Sequence, residues 1–226
     1  MISKLVIAVF CVFQVTSIQS ADNSDIQDLI TEITDSYNEH LENATNSIDS
    51  YMEEYESDLA ILDSSSNETR SQLVLLAALS NPNGYDISTC LLDALNSIAS
   101  TLNHARLLLD NTTAGTYVNS STARIKLYTT RTEIYSRSNE SSESYENCVV
   151  LGNDDTASEC INDILTDLND QKDDMNYRMD DLLSQVEVTV NLGKERLKTT
   201  MDSLQTSINN TVQAAEEELT SCIDVL

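Results

Sequence analysis

Tryptophan is absent from this sequence of 226 residues, and proline (one), phenylalanine (two), histidine (two) and glycine (four) are nearly so. Basic side chains are scarce as well: 12 Lys and Arg stand against 38 Asp and Glu, for a formal charge of −26. A chain this acidic cannot build the positive stripe that neutralises phosphates, which excludes nucleic acid as a partner, and an anionic bilayer would repel it. So few prolines and glycines cannot supply the turns of a many-stranded sheet. A hydrophobic share of 40% suffices for one elongated or two small cores, and the expectation is an all-α protein.

Catalytic signatures are missing too. His40 and His104 lie 64 positions apart with no H-x-x-x-H between them, and both read as ordinary helix-surface or core-edge side chains. The acidic pairs Asp154-Asp155, Asp173-Asp174 and Asp180-Asp181 lack the Gly and the closing Glu of a calcium loop and read as solvated faces. No G-x-S-x-G elbow or Gly-rich phosphate loop occurs, and no Trp is present to line a sugar cleft. The sequence therefore points to no catalytic residue, no cofactor and no metal, and we read the protein as not an enzyme.

What is present speaks first to compartment. Lys4, the apolar run Leu5 to Val15 and the small residue at the end of Ile18-Gln19-Ser20 form a secretory signal over residues 1–20. An apolar run of roughly a dozen residues is short of the roughly 20 that cross a bilayer, so no stable membrane insertion is expected. Cleavage after Ser20 removes Lys4 and Cys11, leaving 11 basic against 38 acidic residues, a charge of −27. Four cysteines remain, Cys90, Cys148, Cys160 and Cys222, and in an oxidising compartment they are expected to form two disulfides. Six N-x-S/T sequons, at Asn43, Asn67, Asn111, Asn119, Asn139 and Asn209, agree with a secretory route.

Apolar residues return every three or four positions from Ile26 to Leu62, the signature of a helix over Asp25 to Asp63. Tyr37, Tyr51 and Tyr55 fall on that stripe and read as half-buried core with the hydroxyl at the rim. Ser64-Ser65-Ser66-Asn67 breaks the pattern, Glu68 to Leu79 resumes it, and Asn81-Pro82-Asn83-Gly84 is a turn. Asp86 or Ser88 caps a second helix whose apolar face runs from Cys90 to Leu109, before a Thr/Ser/Gly loop at Asn111 to Ser121 that holds two sequons. A third segment, Thr122 to Leu151, is interrupted by the polar run Ser136 to Ser144. Gly152-Asn153-Asp154-Asp155 then ends one helix and starts another. From Ala157 to Cys222 the spacing is coiled-coil-like, with Met175 and Met179 as gap-filling core.

The cysteines constrain how these helices return. In one straight helix Cys160 and Cys222 would stand roughly 93 Å apart at about 1.5 Å per residue. A break at Val188 to Gly193, the poorest helix-forming stretch, would bring Cys222 back to the level of Cys160. All four cysteines would then lie at one end of an elongated up-down antiparallel bundle, with Cys148–Cys160 across the turn and Cys90–Cys222 across the bundle favoured among three possible pairings. An unbroken last stretch would instead make an oligomeric coiled coil. The organisation is then a signal (1–20), an N-terminal helical extension (21–80) and a four-cysteine bundle domain (85–226).

Signal, helical patterning and four cysteines separated by 57, 11 and 61 residues resemble the TsetseEP family of insect secreted proteins, over about Tyr85 to Leu226. The likeness is carried by Cys148-Val149-Val150-Leu151 to Glu159-Cys160 and the flanking helices; the Glu-Pro repeats of the family's namesake are missing here. It implies an extracellular insect protein, gut-associated or otherwise, and brings no catalytic residue. The function expected is a secreted, acidic, N-glycosylated helical bundle acting as a non-catalytic interaction or structural protein in insect gut, haemolymph or glandular secretion. Its partner is an extracellular macromolecule of unknown identity, and the chain is a monomer or small homo-oligomer. The alternative is a carrier of lipid or another hydrophobic small molecule, which acidic polar faces, few Phe and no Trp, and disulfide restraint disfavour.

Overall fold

A computed structural model describes residues 2–150 and 154–225, with side chains from 24 to 150 and from 156 to 225. The described chain is three α-helices, α1 (Ile2–Ser80), α2 (Ser88–Val150) and α3 (Asp154–Asp224), with no strand among the described residues. The side chains of the signal (1–20), Cys11 and the acids expected to cap α3 lie outside this range, as do Gly152 and Asn153.

Serine and threonine disfavour helix interiors because their hydroxyls compete for nearby backbone groups. Here the hydroxyls bond back to the carbonyl four residues earlier, as in Thr34 to Ile30, Ser71 to Asn67, Thr130 to Lys126 and Ser142 to Ser138. Each stretch expected to interrupt a helix is therefore helical. Ser64 to Asn67 lies within α1, where the buried positions run on from Leu62 to Thr69, Leu73 and Ala77. The Asn111 to Ser121 loop is a continuous part of α2: Thr113, Thr116 and Ser120 are buried at core spacing, and Ser120 Oγ bonds the Thr116 carbonyl. The polar run Ser136 to Ser144 is helical as well, with Ser138 and Ser141 buried. Tertiary packing of a periodic face outweighs a propensity deficit of a few tenths of a kcal/mol per residue, roughly.

Two compact units cut across the helices. Unit 1 comprises Met1–Thr45 and Thr122–Gln185, and unit 2 comprises Asn46–Ser121 and Val186–Leu226. Each is a three-helix bundle with one segment from every helix, so the residues read as an N-terminal extension supply a third of both cores. In unit 1 Ile26, Ile33 and Tyr37 meet Leu127 and Ile134 of α2 and Ile161, Leu168 and Met179 of α3 as the buried set. In unit 2 the set includes Ile48, Tyr51, Leu62 and Leu73, with Ala105 and Leu109 of α2 and Val186, Leu197 and Leu219 of α3.

Helix directions follow from the sequence separation of contacting residues. Between α1 and α3 the separation stays at 140 for Ser36–Asn176 and His40–Asp180, so these helices are parallel. Between α2 and α3 it falls from 132 at Cys90–Cys222 to 110 at Thr101–Thr211 within unit 2, and from 45 at Arg178–Glu133 to 12 at Cys148–Cys160 within unit 1. Those helices are antiparallel, as are α1 and α2, where the separation drops from 55 at Tyr55–Asp110 to 43 at Arg106–Asp63.

The turn between α1 and α2 is built as its residues suggest. Gly84 adopts φ 71°, its N–H donates to the Asn81 carbonyl, and the Asn81 amide brackets Tyr85 through both its backbone groups. The Asp86 carboxylate accepts the Ser88 N–H and caps α2; hydrogen bonding from the Ser88 side chain, and then from its N–H, holds the Asp86 pKa below the ordinary value.

Candidate functional site

Cys90 pairs with Cys222 and Cys148 with Cys160, with Cα–Cα distances of 5.9 and 5.8 Å, inside the normal range for a disulfide. The pairing is the favoured one; the route to it differs. α3 does not break at Val188 to Gly193 but runs unbroken through that stretch. Cys222 meets Cys90 because α3 returns beside the start of α2, and it has no need to reach Cys160. The two bridges consequently lie in different units, Cys148–Cys160 in unit 1 and Cys90–Cys222 in unit 2, rather than together at one end.

Gly193, read as a breaker, is instead a contact point. It is buried inside α3, and a Cβ there would stand 2.4 Å from Thr116 Cγ2 and 2.8 Å from Thr116 Oγ1. Only glycine lets α2 approach α3 this closely in unit 2. Gly115, one residue from Thr116, is exposed with nothing within 4 Å of a Cβ position. Beside this contact runs an open groove of about 530 Å³, lined by Asn111, Gly115 and Thr116 of α2 and Glu195, Arg196 and Thr199 of α3.

All six sequon asparagines are exposed, and all six sit within helices. Of the hydroxyl residues two positions after them, Thr69, Thr113 and Ser141 are buried and Thr45, Ser121 and Thr211 half-buried. Of the tyrosines singled out in α1, Tyr37 and Tyr51 are fully buried, with hydroxyls that have no hydrogen-bond partner among the described residues. Tyr55 lies half-buried and donates to Asp110 at 2.5 Å, which together with burial raises its pKa to about 12. Met175 and Met179 are core. His104 is exposed.

His40 spans α1 and α3 in unit 1. Its Nδ1 lies 2.6 Å from the Ser36 carbonyl and its Nε2 2.8 Å from Asp180 Oδ1. Both partners are acceptors, so the doubly protonated ring fits both. Burial alone would lower its pKa; the Asp180 and Ser36 hydrogen bonds and the negative charge of Asp180 and Glu39 outweigh that and raise it. One turn earlier Ser36 donates to Asn176 Oδ1, and the turn before that pairs Glu32 with Lys172. This ladder of unlike rungs fixes the α1–α3 register. Arg178 adds a bridge from α3 to Glu133 of α2.

The feature that the sequence reading passed over is on α2 of unit 1. Residues 122–138 carry Arg124, Lys126, Arg131 and Arg137 against the single acid Glu133. Arg131 sits between Tyr128 three residues before and Tyr135 four residues after, with its guanidinium 5.9 and 5.2 Å from their ring centroids and 5.8 Å from that of Tyr37. Arg131 Nη2 also donates to the Tyr135 hydroxyl at 3.4 Å. Burial pushes the Tyr37 pKa up, with Arg131 acting against it. Ile125 is 63% and Tyr128 57% exposed on this helix, and Tyr177 of α3 is 75% exposed. A cleft of about 360 Å³ adjoins, lined by Lys126, Thr129 and Glu133 of α2 and Tyr177, Arg178 and Asp181 of α3. The signal that would have found it is two tyrosines and two arginines, each pair seven residues apart, inside a basic stretch of an acidic chain.

Among the described residues no three His, Cys, Asp or Glu converge as metal ligands, and no helix is long and apolar enough to cross a membrane. No family model, curated protein or solved structure matches the chain.

Proposed function

We propose that the protein is a secreted, acidic, N-glycosylated helical bundle that acts by contact and not by catalysis, as an extracellular interaction or structural protein. A place among the insect secreted four-cysteine proteins, in gut, haemolymph or glandular secretion, goes with this reading. The observation that carries it is the pairing of all four mature cysteines into two bridges, one tying α2 to α3 in each unit, since such bonds persist in oxidising compartments. The exposure of every sequon asparagine supports it. The two clefts described on the helix seams lie open to solvent with charged side chains at their walls, and neither encloses a hydrophobic cargo, which favours contact with a macromolecule. Expression of the full chain in insect cells tests the reading. The expected product appears in the medium, starts at Ala21, is four hydrogens lighter than its reduced form and loses mass on enzymatic deglycosylation. A reduced, unmodified protein retained in the cells would overturn it.

A further inference from the structure

We infer that the basic and aromatic face of α2 at residues 122–138 is a docking surface for a carboxylate-rich segment of another protein, an inference that rests on the reading of the chain as an interaction protein.

Lys172 and Arg178 of unit 1 each find a carboxylate on a neighbouring helix, as Arg106 and Lys194 do in unit 2. Arg124, Lys126, Arg131 and Arg137 form no ion pair among the described residues, although acids outnumber bases about threefold in the chain. Arg124 and Arg131 are half-buried on a helix whose flanking segments in unit 1 are acidic. Lys126 and Arg137 are exposed, and the Arg131 guanidinium lies over the rings of Tyr128 and Tyr135, which orders it while occupying one of its donors, the N–H on the Tyr135 hydroxyl. A planar, pre-oriented guanidinium suits bidentate carboxylate recognition.

Charge complementarity selects an anionic occupant, and the apolar part of the surface selects protein. Ile125 presents an exposed aliphatic side chain next to the tyrosine rings, and the combination of Tyr, Arg and an aliphatic anchor is that of a protein interface centre. Arg70, Arg196 and Lys198 of unit 2 are exposed and form no ion pair among the described residues either, but only at this face is a guanidinium held over tyrosine rings, and that selects it. Self-contact is disfavoured by the repulsion of two like-charged chains.

Poly-L-glutamate serves as the probe, titrated into the isotopically labelled full chain at about 50 mM salt, where screening is weak. The expected result is saturable amide shifts confined to residues 122–138. Binding falls at least about tenfold in Lys126→Glu/Arg137→Glu, as expected when interfacial charge is reversed. Arg70→Glu/Lys198→Glu makes the same change of net charge at exposed positions elsewhere and leaves binding unchanged. Shifts with heparin but not with poly-L-glutamate would overturn the proposal in favour of a sulfated glycan. Shifts of these amides with protein concentration alone would overturn it in favour of a second copy of the chain. No shift, or equal loss in both double variants, would leave the face as solvated surface and refute it. Binding is read on purified full chain whatever compartment supplied it, so loss of this interface and failure of the secretion reading are separate results.

Discussion

Two helical glycines make opposite predictions from the same chemistry. Gly115→Ala adds a methyl group to an open position of α2, with nothing within 4 Å. It should therefore gain the helix-propensity difference, about 1 kcal/mol of stability. Gly193→Ala gains the same propensity but places its methyl 2.4 Å from Thr116 Cγ2, 2.8 Å from Oγ1 and 3.1 Å from Cβ. Rotation of the threonine side chain moves the first two atoms but not the third, and Thr116 is buried, so the helices must shift. Overpacking of this kind costs about 1–3 kcal/mol, which outweighs the propensity gain and leaves the variant roughly 0–2 kcal/mol less stable than the parent. The two substitutions should thus differ by about 1–3 kcal/mol in urea denaturation followed by helical circular dichroism. Thr116→Ala combined with Gly193→Ala should recover at least about 1 kcal/mol relative to the sum of the single changes, because the clashing atoms are gone. Equal stabilisation by both glycine substitutions would refute the close approach. Destabilisation by Gly193→Ala without rescue at position 116 would point to a chain reversal at Gly193 in place of a helical contact.

Three further outcomes follow from separate parts of the structure. Removing Cys90–Cys222, whose partners are 132 residues apart, should cost more than removing Cys148–Cys160, 12 apart. The chain-entropy treatment gives about 5 against about 3 kcal/mol, and a reversed order in denaturant midpoints at equal m-value would contradict it. His40 has a raised pKa in the fold, so its stabilisation is complete below the unfolded value of about 6.5 and is lost as pH rises through the folded one. The melting temperature of the parent should therefore fall across that interval, His40→Gln should flatten the profile, and Asp180→Asn should bring the imidazole titration down in NMR. Tyr55, at about 12, should ionise above its ordinary value of 10.0, and Asp110→Asn should return it towards that value in an ultraviolet titration.

Much of the fold was legible because core spacing is written in residue identity. Ile26, Ile33, Tyr37 and Ile48 in α1, and Ile161, Leu168, Met175 and Met179 in α3, form an apolar period that needs no tertiary knowledge, and all are buried. The turn at Asn81 to Gly84 and the cap at Asp86 were equally plain, since each rests on local chemistry. The failures share one cause. At Thr113, Thr116, Ser120, Ser138 and Ser141 the core is occupied by hydroxyl residues, so the apolar signal fades while the buried spacing continues. A reading keyed to hydrophobicity saw loops there. One keyed to spacing, with hydroxyls allowed to bond back four residues, would have carried α2 through.

The same substitution of identity for spacing shaped the cysteine argument. With α2 cut at residue 111, the pairing of Cys222 with Cys90 demanded a reversal in α3, and Gly193 offered a place for it. With α2 continuous from Ser88 to Val150, the antiparallel run of α2 and α3 delivers the pairing directly, and glycine becomes what its burial and its 2.4 Å neighbour make it, a notch for Thr116. The candidate site was hidden for a different reason. Net charge averages over the chain, and a value of −26 conceals a stretch where four bases meet one acid. Tyr128 and Tyr135 acquire meaning only through the guanidinium between them, a three-residue and a four-residue step along one helical face. Local charge taken at helical period, rather than total charge, is the quantity that separates this face of α2 from the acidic surface around it.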